Sequence, residues 1–212
     1  MSSAISAQGS TLKIATGTGG AKTITAVAVG NPTILTSAAH GLANGDVVAI
    51  AALTGADAAE LNGLSFVVLY KTTNTFAVAK DTTGKTITAG SGTATPQTYT
   101  AISEVKTFNG LDGAASEIDV THLTSTAKEF RLGLVDEGSF SFEMNRVASD
   151  AGQVAVLTSR NAGTIKSYQL TLPNAETATF DAFAKTFPVT GGVDGVVAHA
   201  IGLRISGAVV WA

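Results

Sequence analysis

Between Ile102 and Arg146 the chain alternates with a period of two on either side of a charged stretch, and no other feature constrains its fold as much. On the first side Ile118 and Val120 alternate with Glu117, Asp119 and Thr121; on the second, Phe140, Phe142 and Met144 alternate with Ser139, Ser141 and Glu143. That is the period of a strand with one apolar and one wet face. Between the two, from Thr124 to Glu137, stand Ser125, Thr126, Lys128, Glu129, Arg131, Asp136 and Glu137. This is too much charge for a core and too much length for a tight hairpin, so the segment is read as a long polar loop. Such loops are functional or disordered.

The chain has 212 residues, enough to bury a core as one large domain or two small ones. Hydrophobic residues make up 45% and charged residues 14%, with 23 glycines, which describes a β protein with large buried or self-associating surfaces and excludes a disordered one. The net charge of -3 argues against a protein that grips nucleic acid, because phosphate neutralisation needs clustered Lys and Arg. A protein that DNA slides past would carry this sign. There is no cysteine, so disulfides, thiolate metal sites and cysteine nucleophiles are excluded. The opening MSSAISAQGSTLK has neither the cationic nor the apolar segment of a signal peptide. The apolar end, VVAHAIGLRISGAVVWA, alternates and is interrupted by Arg204, so no membrane anchor is expected.

Composition changes near Lys22 and again near Pro96, which divides the chain into an N-terminal arm (1–22), a block at 23–95 and a main domain at 96–212. Within the block, short apolar runs (Thr25 to Val29, Val47 to Ala51, Phe66 to Tyr70, Phe76 to Ala79) are separated by turn residues such as Ala43-Asn44-Gly45-Asp46 and Leu61-Asn62-Gly63. Runs this short predict a small all-β unit. Gln8 to Ala15 reads as a first strand and Thr98 to Phe108 as the strand that follows it once the block is cut out. After Arg146 a helix is expected, started by Ser149 or Asp150, with Gln153 at capping-box spacing, ended by Gly163, and striped by Ala151, Val154 and Leu157. Strands follow at Lys166 to Leu172 and at Ala178 to Val189, where the apolar phase moves from Phe180 to Phe183 and Phe187 and suggests a bulge. The last strand carries Ile201, Leu203, Ile205, Val209 and Trp211 on one side.

The run DVTHLTSTAKE (119–129), followed by GLVDEGSFSFEMN (133–145), resembles the major tail tube protein of long flexible-tailed bacteriophages. The resemblance covers Glu104 to Ala212 well and the N-terminal arm weakly. It implies a β-sandwich or half-barrel with one flanking helix, an all-β class that the alternation supports independently. It also implies copies that close into hexameric rings, rings that stack into a tube for DNA ejection, and the tape measure, tail terminator and tail tip proteins as partners. The block at 23–95, with HGLANGDVV, LNGLSFVV and TNTFAV, resembles a small β domain recurring in phage virion proteins. That domain is often described by its likeness to a module of ubiquitin-activating enzymes, whose chemistry a chain without cysteine cannot carry.

No catalytic constellation is found. His40, His122 and His199 lie in separate segments without a carboxylate or histidine at ligand spacing, and each reads as a turn or strand residue. Gly17 to Gly20 and Gly90 to Gly92 do not join a strand to a helix and carry no GK[ST], so they read as flexible joints and not as phosphate cradles. Asp136 and Glu137 are adjacent, which in a strand points them to opposite faces; a loop-end charge pair is the better account than an acid-base dyad. No enzyme, cofactor or metal is expected. By resemblance, Lys128, Glu129, Arg131, Asp136 and Glu137 are candidates for inter-ring contact. Glu117, Asp119, Ser139, Ser141 and Glu143 are candidates for an acidic channel lining. A carbohydrate- or host-surface-binding β module is the alternative, and it would need an exposed aromatic cluster that 6% aromatics and one tryptophan hardly provide.

Overall fold

The computed structural model describes residues 4–212, so residues 1–3 of the expected N-terminal arm lie outside the described residues. The chain runs through β1 (Thr11–Thr18), β2 (Lys22–Thr23), β3 (Ala26–Ala28), β4 (Thr33–Thr36), β5 (Val47–Ala51), a 3-10 turn (Ala58–Glu60), β6 (Ser65–Leu69), β7 (Thr75–Val78) and β8 (Thr93–Ala101). Then come β9 (Val105–Gly110), β10 (Ala114–Asp119), β11 (Phe130–Asp136), β12 (Ser139–Asn145) and the helix α1 (Ala151–Ala162). It ends with β13 (Lys166–Thr171), β14 (Thr177–Thr186), β15 (Val189–Thr190), β16 (Ala198–Ile205) and β17 (Val210–Trp211). The described residues are all-β apart from α1 and the short 3-10 turn, as the alternation predicts.

Two compact units result: residues up to 101 with 168–179 and 210–212, and residues 102–167 with 180–209. In the first, strand order is β3-β4-β7-β6-β5-β8-β1-β13. β1 leads out and β8 returns antiparallel to it, with Lys13 opposite Ala101 and Thr18 opposite Gln97. Between them lies a core whose members, among them Leu35, Val48, Ile50, Leu61, Phe76 and Val78, all fall between Ile24 and Ala94. The predicted strands within this block form, and so does one that alternation did not reveal: β4, only four residues long, pairs with β3 and β7. The unit extends past the block because β8 carries the sheet on to β1, and β1 to β13. Gly90 and Gly92 are tightly packed and are not open joints. A side chain on Gly92 would strike Leu53 and the Ala89 carbonyl, and one on Gly90 would strike Thr54.

A buried polar knot joins the block to the later strands of this unit. Gly45, with φ 88, lets the Ala43–Asp46 turn reverse. Its carbonyl accepts from Gln169 Nε2 at 2.6 Å and from Thr179 Oγ1 at 2.9 Å. A Cβ at position 45 would lie 2.9 Å from Thr177 Cγ2, so glycine is required on both conformational and spatial grounds.

In the second unit the order is β14-β16-β12-β9, with β15 on β16 and a separate two-stranded sheet of β10 and β11. Phe140, Phe142 and Met144 point inward from β12, and Ile201, Leu203 and Ile205 do so from β16. Phe140 meets Phe180 at 5.1 Å and Phe142 at 6.3 Å between ring centroids, within the range of favourable aromatic pairs. The expected strand from Thr98 to Phe108 is two strands, broken where Glu104 takes φ 58. The helix is started by Asp150, whose side chain accepts from Gln153 N at 2.7 Å, and it ends at Gly163, as predicted. Its buried stripe, however, is Gly152, Gln153, Val156 and Ser159, while Val154 is exposed. Gln153 is inside because backbone there needs it: its amide donates to the carbonyls of Asn145 (2.9 Å) and Ser103 (3.2 Å) and accepts from Val147 N (2.9 Å). Buried polar groups without such partners are costly.

Two further expectations are corrected. β14 does slip in register between Ala184 and Thr186, but Ala182 and Ala184 hold the inward phase and Phe183 stays partly exposed. The last strand breaks after Ile205; β17 restarts at Val210 and leaves Trp211 half-exposed.

Candidate assembly surface

The predicted polar loop is half strand. Phe130, Leu132 and Leu134 alternate with Arg131 and Gly133, and this segment pairs antiparallel with β10, from Ala114 opposite Asp136 to Asp119 opposite Phe130. Among the described residues β10 and β11 pair only with each other, so the segment is a hairpin arm. Cross-strand register puts Phe130 and Leu132 on one face beside Asp119 and Glu117, and Ile118 and Arg131 on the other. Neither face is covered by the described residues. Leu132 is 78% exposed and Leu134 91%, while Phe130, Val135 and Ile118 each expose half their surface or more. The greasy face expected for Ile118 and Val120 therefore exists in sequence without a core to meet it.

The tip of the arm is an ordered turn. Val120 N donates to the Glu129 carbonyl at 2.9 Å, Glu129 N donates to Thr121 Oγ1 at 3.0 Å, and Ser125 N donates to the His122 carbonyl at 2.9 Å. His122 also lies 2.8 Å from Thr124 Oγ1 and 3.9 Å from the Glu129 carboxylate. Lys128 is exposed beside them, and Leu123 is entirely exposed. The base is pinned differently. The Asp136 carboxylate accepts from Gly138 N at 2.9 Å and pairs with the Arg204 guanidinium, whose Nη1 also reaches the Gly138 carbonyl at 3.2 Å. The Gly138 amide and then Arg204 hold Asp136 below the usual carboxylate range. Gly110, φ 135, lets β9 run against the Ser139 and Phe140 backbone where any side chain would collide.

Of the candidate lining residues, Ser139, Ser141 and Glu143 share the exposed face of β12. Their cross-strand neighbours are Arg204, Gly202 and Ala200 on β16, with Asn109 and Thr107 opposite Ser141 and Glu143 on β9. Ser141 and Glu143, with Gly202, Ala200, Asn109, Thr107 and Thr186, line a shallow groove of about 440 Å³; Ser139 and Arg204 lie outside it. Glu117 and Asp119 are elsewhere, in the hairpin, because β10 does not join this sheet. The face is also less acidic than expected: Glu143 is the one carboxylate on β12, and Arg204 stands beside Ser139. Among the inter-ring candidates, Lys128, Glu129 and Arg131 are on the arm, Glu137 is half-buried at its base, and Asp136 is held by Arg204 of its own chain. The residues missed were the apolar ones. Their signal, FRLGLV, was visible in the sequence and was outweighed by the charges on either side.

The three histidines are spread out. His40 is buried edge-on against Phe76 and accepts from Leu42 N at 3.0 Å, while His199 packs on Phe187 at 4.4 Å with Nδ1 3.1 Å from the Pro188 carbonyl.

A family model described as lambda phage tail tube protein matches residues 81–212, well over half of the chain. The chain belongs to that family. It is thus a structural component of a phage tail, and the hairpin arm and the face of β12 are features of a tail tube subunit. No curated protein matches the chain. Among solved structures it is similar to a chain in the tail of an empty GTA particle refined with C6 symmetry, at 17% identity over 54% of this chain and 86% of that one, TM-score 0.46. It is also similar to a chain in the six-fold symmetrised anti-feeding prophage baseplate, at 11% identity over 54% and 84%, TM-score 0.43.

Proposed function

We propose that copies of this tail tube protein close into hexameric rings, and that the rings stack into the conduit for DNA ejection, with the β10–β11 arm as the contact between rings. The observation that carries this reading is the uncovered apolar arm, with Phe130, Leu132, Leu134 and Val135 all facing water in an isolated copy. Monomeric soluble proteins rarely leave so contiguous an apolar surface without a partner. Lys128, Glu129, Arg131 and Glu137 then form the polar rim of that contact, and Asp136 fixes the arm's base through Arg204. The exposed face of β12 and its neighbours lines the channel, where hydroxyls, amides and few charges give passing DNA nothing to bind. Phosphate binding needs clustered cations.

The protein works by assembly and not by catalysis. It is assembled in the host cytoplasm, with the tape measure, tail terminator and tail tip proteins as further partners. The block at 23–95 is a self-contained insertion between β1 and β8 that projects outward, since a channel filled by tape measure and then DNA leaves it no room. Electron microscopy of the purified protein tests the central reading: rings and tubes are expected, and a strictly monomeric particle at high concentration overturns it. Density for the block inside the channel would sink its outward placement alone.

A further inference from the structure

An arm that reaches out of one copy needs a receiver on the next, and the strand directions of the second unit point to one. β12 and β16 run antiparallel, with Ser139 opposite Arg204 at one end and Asn145 opposite Ala198 at the other. The hairpin leaves and rejoins at the first end, where Gly110 stands opposite Phe140 and β11 stops at Asp136. Segment 189–197 leads into Ala198 and therefore sits at the second end, held there by Arg146 N donating to the Val197 carbonyl at 2.8 Å. About 20 Å of strand separates the two ends, from six steps of roughly 3.4 Å.

That segment, VTGGVDGVV, is a second uncovered apolar patch: Val189, Val196 and Val197 are exposed, and Val193 is completely so at 104%. Its single charge is Asp194. On the arm Glu129 faces His122 and Asp119 accepts from Thr121 N at 2.9 Å; Glu117 lies beside Leu132, and Arg131 is on the opposite face, so the exposed Lys128 at the tip is the cation placed to meet a partner's carboxylate.

Resting on the reading of the arm as an inter-ring contact, we infer that segment 189–197 is the surface that receives the arm of the next copy. Its valines pack on Phe130, Leu132 and Leu134, and Asp194 meets Lys128 at the arm's tip. A donor and a receiver at opposite ends of the same strands make the contact heterologous, so it repeats without limit instead of closing a two-fold dimer. A stacked tube needs that property. It also explains why neither patch is covered in a single copy.

The absence of cysteine makes the test clean. Leu134→Cys and Val193→Cys are placed together in the full chain, and the assembled protein is treated with a short bis-maleimide. A denaturing gel should show a ladder that continues past the number of copies in one ring, whereas each single-cysteine variant stops at a dimer. A ladder ending at one ring's worth of copies would mean that the two patches meet within a ring, and it overturns the inference. Tubes that form without any ladder overturn it too, while leaving the proposed function intact. A protein that forms neither rings nor tubes removes both. In parallel, Val193→Ser with Val196→Ser should leave rings whole and shorten tubes at least tenfold; tubes of wild-type length would count against the inference.

Discussion

β11 and β12 stand three residues apart in the chain and carry the same apolar alternation, yet one is uncovered on both faces and the other supplies the centre of a core. In β12 the phase of Phe140, Phe142 and Met144 is fixed by β16 and β9 on its flanks and by Phe180 facing it, so each is almost fully buried. In β11 the same spacing of Phe130, Leu132 and Leu134 meets only β10, and a two-stranded ribbon has no second layer of its own. Alternation therefore reports a strand with an apolar face. Whether that face is covered depends on a partner, and the partner can be another molecule.

The largest effects should separate these two strands. Phe142→Ala removes a ring that is 2% exposed, and it should cost about 3 to 5 kcal/mol in the unfolding free energy of the isolated subunit. Leu132→Ala, at 78% exposure, should move the same midpoint by less than about 0.5 kcal/mol, as surface substitutions do, while reducing tube formation. Denaturant unfolding of dilute, unassembled protein checks both. Equal losses would show that the arm is part of the folded core, and no loss at Phe142 would invert the faces assigned to β12.

A double change, Leu132→Ser with Leu134→Ser, sharpens the contrast at the level of assembly. The circular dichroism spectrum and unfolding midpoint should stay as in the wild type, with tubes absent in electron micrographs. If the midpoint falls together with the tubes, the arm is structural and the distinction between the two strands collapses.

How much of this was legible depended on whether a residue's partner was local. The helix start at Asp150 and its end at Gly163 were readable because capping is settled within a turn or two of chain. The inward face of β12 was readable because three large apolar residues kept one phase. Gln153 was not readable as a core residue, because the carbonyls it satisfies, at Ser103 and Asn145, are brought to it by the fold. β4 was missed because its two apolar residues, Ile34 and Leu35, are adjacent and flanked by threonines just after the Gly30-Asn31-Pro32 turn, so they show neither a run nor an alternation. For the proposed contact, the charges at Lys128 and Arg131 drew attention away from the exposed apolar residues Phe130, Leu132 and Leu134 among them, and the pairing of Asp136 with Arg204 of its own chain was hidden because 68 positions separate the two.

The knot at Gly45 offers a smaller test within the first unit. Gln169, 5% exposed, donates from its amide to the Gly45 carbonyl, joining the turn of the insertion to β13. Gln169→Leu keeps most of the volume and leaves the carbonyl to Thr179 alone, so a loss of about 1 to 2 kcal/mol is expected in the unfolding midpoint. An unchanged midpoint would show that the knot does not hold the insertion.

The smallest effect belongs to the arm's base. Asp136 is exposed, and its folded pKa lies below the ordinary 3.8 because Gly138 N and then Arg204 favour the carboxylate. A depressed folded pKa stabilises the native state above the unfolded value and loses that contribution as pH falls through the folded one. The pair should therefore be intact at neutral pH and fade below about pH 3.8, sooner in high salt, since an exposed pair is screened. Asp136→Asn removes the charge but keeps an acceptor for Gly138 N. It should flatten the acid end of the stability curve while leaving the neutral end close to wild type, and any gain in tube length would have to come from the arm's angle at its base and not from the apolar contact. If acid unfolding of the variant tracks the wild type throughout, Arg204 does not tie the arm to β16, and the carboxylate becomes available to a neighbouring copy after all.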